Sequence, residues 1–178
     1  IRRDLHAHPE LGYEEVRTSN LVATQLEQWG VEVHRGLGKT GVVGVIQGRG
    51  TSTRAIGLRA DMDALPMQEI NTFAHASKTP GKMHGCGHDG HTAMLLAASR
   101  YLAQTRDFDG RVIVIFQPAE EGGAGAKAMV DEGLFEQFPV EAVFGMHNWP
   151  GLPVGKFGLN PGALMASSSD FKITLHGK

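Results

Sequence analysis

The chain has 178 residues, 41% of them hydrophobic and 20% charged, with a formal net charge of -2, which is enough for one ordinary globular core. This balance excludes an overall basic field for nucleic acid or an anionic membrane surface, and no stretch approaches the roughly 20 apolar residues of a membrane span. The single cysteine, Cys86, excludes an internal disulfide framework and implies a reducing, cytoplasmic setting.

The opening segment from Arg2 to Glu15 mixes His6, His8 and Pro9 with acidic residues and has no clear period. From Thr18 to Trp29 the apolar residues Leu21, Val22, Leu26 and Trp29 fall on one helical face. Gly30 is placed to end that helix in a left-handed conformation. Val31 to His34 reads as a short strand. Gly41 to Gln47 (GVVGVIQ) and Arg54 to Ala60 (RAIGLRA) read as longer ones, and the turn chemistry between them predicts a hairpin.

Asn71 to Gly87 is polar and glycine-rich, as in a long functional loop. His91 to Leu102 has helical composition, with Ala93, Leu96, Ala97 and Leu102 set to face a core. Arg111 to Phe116 (RVIVIF) is nearly continuous apolar sequence, the pattern of a strand buried on both faces. Gly125 to Glu132 suits a helix and Ala142 to Met146 (AVFGM) another buried strand, with Val154 to Phe157 and Phe171 to Leu175 as later strands. Strands alternating with helices predict an α/β fold with a mixed, largely parallel sheet between helices.

Four polar clusters stand at or just beyond the ends of these strands: Asp61 and Asp63; His84, Cys86, His88, Asp89 and His91 in MHGCGHDGH; Glu120 and Glu121; and His147. Ligand sites in α/β sheets lie outside the carboxyl ends of strands, so the clusters are expected to share one cleft. Thiolate, imidazole and carboxylate are the donors of Zn²⁺, Mn²⁺, Co²⁺ or Ni²⁺, and a thiolate disfavours Mg²⁺ and Ca²⁺. Glycines on both sides of Cys86 let the backbone curl around an ion. The competing readings of Cys86 are a small core residue or a nucleophilic thiol with a histidine base, but the latter leaves the acidic pair without a task. Glu120 and Glu121 repel one another, and a division of labour resolves this: one binds metal and the other is general base toward a metal-activated water. The bland reading of that pair is a solvated acidic turn. For His6 and His8 structural hydrogen bonding is favoured, and His34, His75 and His176 read as surface residues.

The segments RRDLHAHPELGYEE, GLRADMDALPM, MHGCGHDGHTAMLL, FQPAEEGGAGAKAM and FGMHNWPGLPVG closely resemble the amidohydrolase branch of the aminoacylase and carboxypeptidase metallopeptidases. That branch includes hippurate hydrolases, N-acyl-amino-acid amidohydrolases and plant hydrolases of indoleacetic acid–amino acid conjugates. The resemblance implies a zinc-exopeptidase-like catalytic domain holding two divalent ions (Mn, Zn, Co or Ni). Cys86 would bridge the two metals, His88 and His147 would complete one site, and Glu121 would bind the other. Glu120 would be the catalytic base and acid, and Asp63 would orient a ligand from behind it. Asp61 stands where other branches carry a histidine ligand and is left out of the set. The implied substrate is a small N-acyl amino acid, with neither nucleic acid nor membrane as partner.

By the same resemblance, residues 1–165 are the N-terminal part of the catalytic domain, and residues 166–178 are a hinge and the first strand of a small α+β lid through which such proteins form homodimers. The start at Ile1 and the end at Lys178 are expected to mark a piece of a longer protein, with the last histidine ligand beyond it. Two alternatives remain beside the amidohydrolase: a dipeptidase or carboxypeptidase of the same fold, and an inactive metal-binding fragment.

Overall fold

In the computed structural model, which describes residues 1–167, 169 and 171–177, the most apolar segment takes the middle of a five-stranded sheet. The strands are β1 (Glu32–Arg35), β2 (Val42–Gln47), β3 (Ala55–Asp61), β4 (Arg111–Gln117) and β5 (Val143–Gly145), in the order β1-β2-β4-β3-β5. The helices are α1 (Arg2–Ala7), α2 (Val16–Gln28), α3 (His88–Thr105), α4 (Gly125–Asp131) and α5 (Leu134–Gln137). Among the described residues no helix is long and apolar enough to cross a membrane.

Alternate side chains of β4 enter two cores. Val112, Val114 and Phe116 pack with Val22 and Leu26 of α2 and with Leu95 and Leu96 of α3. Ile113 and Ile115 join Val43, Met129 of α4, Leu134 of α5 and Phe138. The expected doubly buried strand therefore sits between two helical layers.

The expected β2–β3 hairpin does not form. β4 lies between the two strands, antiparallel to β2 and parallel to β3, so that Arg111 is level with both Gln47 and Ala55. The turn after β2 runs against the start of β4, with Gly48 donating to the Gly110 carbonyl and Arg49 to those of Arg106 and Phe108. A hairpin would leave β4 at an edge with its ladder half unpaired, whereas insertion pairs it on both sides. The sheet is consequently mixed: β3–β4 and β3–β5 are parallel, and β1–β2 and β2–β4 antiparallel.

Other expectations shift in detail. Residues 2–7 form a helix too short to show a period. Gly30 does take a left-handed conformation (φ 70°) after α2. Helix α3 begins at His88, and its buried face runs through His88, His91, Thr92, Leu95, Leu96, Ser99 and Ala103, which leaves Ala97 exposed. β5 is an exposed edge strand and not a buried one, with Val143 and Phe144 open to solvent. The reason is positional: it pairs only with β3, and among the described residues nothing lies on its far side.

Residues 149–178 form a unit separate from residues 1–148. No strand forms at residues 154–157 or 171–175, and the apolar side chains of Val154, Phe157, Phe171, Ile173 and Leu175 are exposed. A strand needs a neighbour for its N–H and C=O groups, and none of the described residues supplies one there. Ser168, Asp170 and Lys178, part of the expected hinge and lid strand, lie outside the described residues.

Glu15, fully buried just before α2, ties three distant segments together. Its carboxylate accepts the Ala119 N–H at 2.8 Å and the Thr40 hydroxyl at 2.6 Å. Ala119 has φ 49°, a conformation that a non-glycine residue holds only when its surroundings impose it. Glu15→Ala leaves two buried donors unpaired and is expected to cost roughly 1–3 kcal/mol for each, as measured by urea unfolding. Unchanged stability would show that the tie is not structural.

Candidate metal centre

Strands β3, β4 and β5 are mutually parallel, so their carboxyl ends meet at one edge of the sheet, with Asp61 level with Gln117. Each strand runs on into one of the polar clusters. The N-terminus of α3 brings the fourth, because Gly87 (φ 89°) turns the chain directly into the helix that starts with His88. Cys86, His88, Glu120, Glu121, His147, Asp61 and Asp63 thus gather from four distant segments of the sequence.

His88 is the centre of this group. Its ring is buried, and neither nitrogen has a hydrogen-bond partner. Around Nε2 stand Asp61 Oδ2 at 3.7 Å, Glu121 Oε1 at 3.7 Å and Glu120 Oε2 at 3.8 Å. On the other side Asp63 Oδ1 is 3.4 Å from Nδ1, an ionic contact longer than an ordinary hydrogen bond. Burial alone would depress the imidazole pKa, but the carboxylates of Asp63, Asp61 and Glu121 outweigh it and raise it.

Cys86 Sγ lies 3.3 Å from His147 Nε2. The donor atoms of Cys86, His88 and His147 fall within 4.8 Å of one another, as do those of His88, Glu120 and Glu121. Burial, and then the carboxylates of Glu121, Glu120 and Asp61, push the Cys86 thiol up to about 12. The contact with His147 is one a histidine base would also make, but a thiol held protonated in this way is a poor nucleophile. The same surroundings suit a cation. An imidazole nitrogen without a partner, a buried Glu121 oxygen without one, and carboxylates too distant to hydrogen-bond enclose a space that a divalent ion would satisfy on all sides. The donor set fits a metal.

Asp63 fixes the acidic pair from behind. Its two oxygens accept the backbone N–H groups of Glu120 and Glu121, each at 2.9 Å. Burial raises the Asp63 pKa, but His88 and these two N–H groups prevail and hold it below the ordinary carboxylate value. The Glu120 side chain is 43% exposed and that of Glu121 23%. One carboxylate therefore turns inward while its neighbour remains accessible.

Asp61 is occupied in another way. It accepts from His91 Nδ1 at 2.6 Å and from Arg59 Nη1 at 2.7 Å. Burial pushes its pKa up, but the His91 hydrogen bond and the Arg59, His88 and His91 charges bring it down to about 2. Asp61, His88 and His91 also lie close enough to hold an ion, yet both nitrogens of His91 are already engaged, one by Asp61 and the other by the Asn148 N–H at 3.0 Å.

The structural hydrogen bonding expected of His6 and His8 is present, but the partners of His6 form a second polar knot that sequence reasoning did not foresee. The two ring nitrogens of His6 face Asp89 Oδ2 at 2.8 Å and Glu69 Oε1 at 3.1 Å, and Arg2 Nε also reaches Asp89 at 2.8 Å. These contacts pin α1 to the first turn of α3. His8 Nδ1 contacts the Asp4 carbonyl at 2.8 Å. Glu69 carried no signal, since nothing in its local sequence marks it as buried.

Comparison with known proteins adds to this geometry. The sequence matches the profile of Peptidase family M20/M25/M40 over residues 57–177. It is 52% identical, over its whole length, to a hippurate hydrolase of Campylobacter jejuni, of which it spans 46%. It is 51% identical to IAA-amino acid hydrolase ILR1-like 5 of Arabidopsis thaliana and spans 40% of that protein. Among solved structures, a Bacillus subtilis protein described as a dinuclear metal binding peptidase from the M20 family superposes with a TM-score of 0.82 at 46% identity, covering 87% of this chain and 43% of that one. The chain thus spans less than half the length of the curated relatives it matches. A profile match over more than half the chain, joined to a site whose donors suit divalent ions, establishes that the chain belongs to Peptidase family M20/M25/M40.

Proposed function

We propose that the protein carrying this chain is a metal-dependent amidohydrolase that cleaves the amide bond of N-acyl amino acids. The observation that carries the proposal is the pairing of a buried, partnerless His88 imidazole with an inward Glu121 and an accessible Glu120. Cys86, His88 and His147 would hold one ion and Glu121 would hold a second. Mn²⁺, Zn²⁺, Co²⁺ and Ni²⁺ all suit this mixed donor set. Such ions polarise a carbonyl and lower the pKa of water.

The chain's own residues do the rest. Asp63 locks the Glu120 and Glu121 backbone, so that both carboxylates approach His88 while Glu120 stays the more exposed of the two. Glu120, whose side-chain carboxylate makes no hydrogen bond to the scaffold among the described residues, takes the proton of the attacking water on a carboxylate oxygen and returns it to the departing amine nitrogen. Hippurate and IAA-amino acid conjugates, named for the two relatives, are both acyl groups in amide linkage to an amino acid, and that shared bond defines the substrate class. Within this reading, residues 1–165 supply the N-terminal part of the catalytic domain, residues 166–178 begin a lid, and the lid joins two copies into a homodimer. The proposed working compartment is the reducing cytoplasm, which keeps a lone cysteine available to a metal.

Glu120→Gln is expected to lower kcat/KM for N-benzoylglycine by about 10²–10⁴-fold with metal content unchanged. Full activity in that variant, with metal bound, would remove Glu120 from the mechanism. Thiol alkylation separates this mechanism from nucleophilic cysteine catalysis. After chelation, Cys86 should react with iodoacetamide about a thousandfold more slowly at pH 8 than an ordinary exposed cysteine, and faster only as the pH approaches 12. Rapid alkylation near neutral pH would favour the nucleophilic thiol.

A further inference from the structure

His147 reaches the cluster from an insecure position. It follows β5, a strand of three residues whose side chains are exposed and which pairs on one side only. Beside the contact of His147 Nδ1 with the Asn148 carbonyl at 2.6 Å, polar contacts of the next residue help to set the direction of the chain there. The Asn148 N–H donates to His91 Nε2 at 3.0 Å, and the Asn148 side-chain amide donates to the Gly87 carbonyl at 3.2 Å. Gly87 is the residue between Cys86 and His88, and a Cβ there would come within 2.2 Å of the Asn148 amide, so only glycine leaves room for this approach.

His91 can accept from Asn148 only when Nε2 carries no proton. Asp61 favours this by accepting a hydrogen bond from Nδ1–H at 2.6 Å, and Asp61 is fixed in turn by Arg59 and by Thr92, whose hydroxyl donates to the Asp61 carbonyl at 2.9 Å. The His91 ring also stands edge-on to that of His147, with centroids 4.5 Å apart. We infer that His91 is a positioning residue: through the chain Asp61–His91–Asn148 N–H it anchors the backbone immediately after His147 and aims that imidazole at Cys86. It acts on the metal centre from one residue away and binds no ion itself, because both its nitrogens are used. Side chains that orient metal ligands in this way are commonly worth 10–100-fold in affinity.

This inference rests on the metal-centre reading, and a matched pair of variants in the protein carrying this chain distinguishes the two. Gln and Met have similar volume and flexibility, but only Gln can accept the Asn148 N–H. Co²⁺ titration, followed by the near-ultraviolet absorption of a thiolate–Co²⁺ bond, should show His91→Met binding roughly 10–100-fold more weakly than the wild type, and His91→Gln recovering most of that loss. Equal binding by the two variants, whether strong or weak, overturns the positioning role. No thiolate–Co²⁺ absorption in the wild type overturns the metal centre itself. A third measurement needs no variant: ¹⁵N NMR of the wild-type protein must show His91 protonated at Nδ1 and bare at Nε2, and the opposite tautomer sinks the inference.

Discussion

The placing of β4 between β2 and β3 governs the rest of the structure. Its apolar side chains on both faces need helices above and below, and its backbone needs a strand on each side. In the arrangement that meets both demands, β3 runs parallel to it, and β5 parallel to β3. The three strands then end at one edge, where Asp61, Asp63, Glu120, Glu121 and His147 follow within a few residues of the last ladder pairs.

Bringing so many carboxylates together is unfavourable unless their charge is matched, and the chain does part of this itself. Arg59 and His91 engage Asp61, and the backbone N–H groups of two successive glutamates engage Asp63. Both aspartates are thereby held ionised despite burial. Cys86 goes the other way, first because of burial and then because its carboxylate neighbours are negative. The contrast separates the roles: the aspartates are satisfied by the scaffold and serve it, while the unsatisfied His88 and Glu121, with Cys86 beside them, have capacity for a positive ion.

Much of this was legible in the sequence, for reasons that differ from element to element. The RVIVIF run and the Leu21–Val22–Leu26 face carry strong periodic signals, and the strand-then-acid pattern pointed to one edge of the sheet. Pairing order was not legible, since a glycine-rich turn after GVVGVIQ is compatible with either a hairpin or an inserted strand. The failure at AVFGM was one of exposure: apolar composition marks what can be buried, and the position of β5 at the edge decides that it is not. His91 was visible in the MHGCGHDGH cluster, but its partners are Asp61, thirty residues before it, and the backbone of Asn148, and a backbone group has no letter in the sequence. Glu15 and Glu69 were overlooked for the same reason, because a carboxylate that accepts from distant backbone looks locally like any surface acid.

The open side of β5 has a practical meaning for anyone working with this part of the protein. Its outer N–H and C=O groups point toward solvent between Val143 and Phe144, an apolar and uncharged pair with nothing beside it among the described residues to discourage a passing strand. Residues 1–148 handled alone would present a ready template for intermolecular ladder formation, so turbidity or slow oligomer growth in such a preparation would reflect that bare border and not a badly formed interior. A lysine at position 143 would be the simplest guard against it.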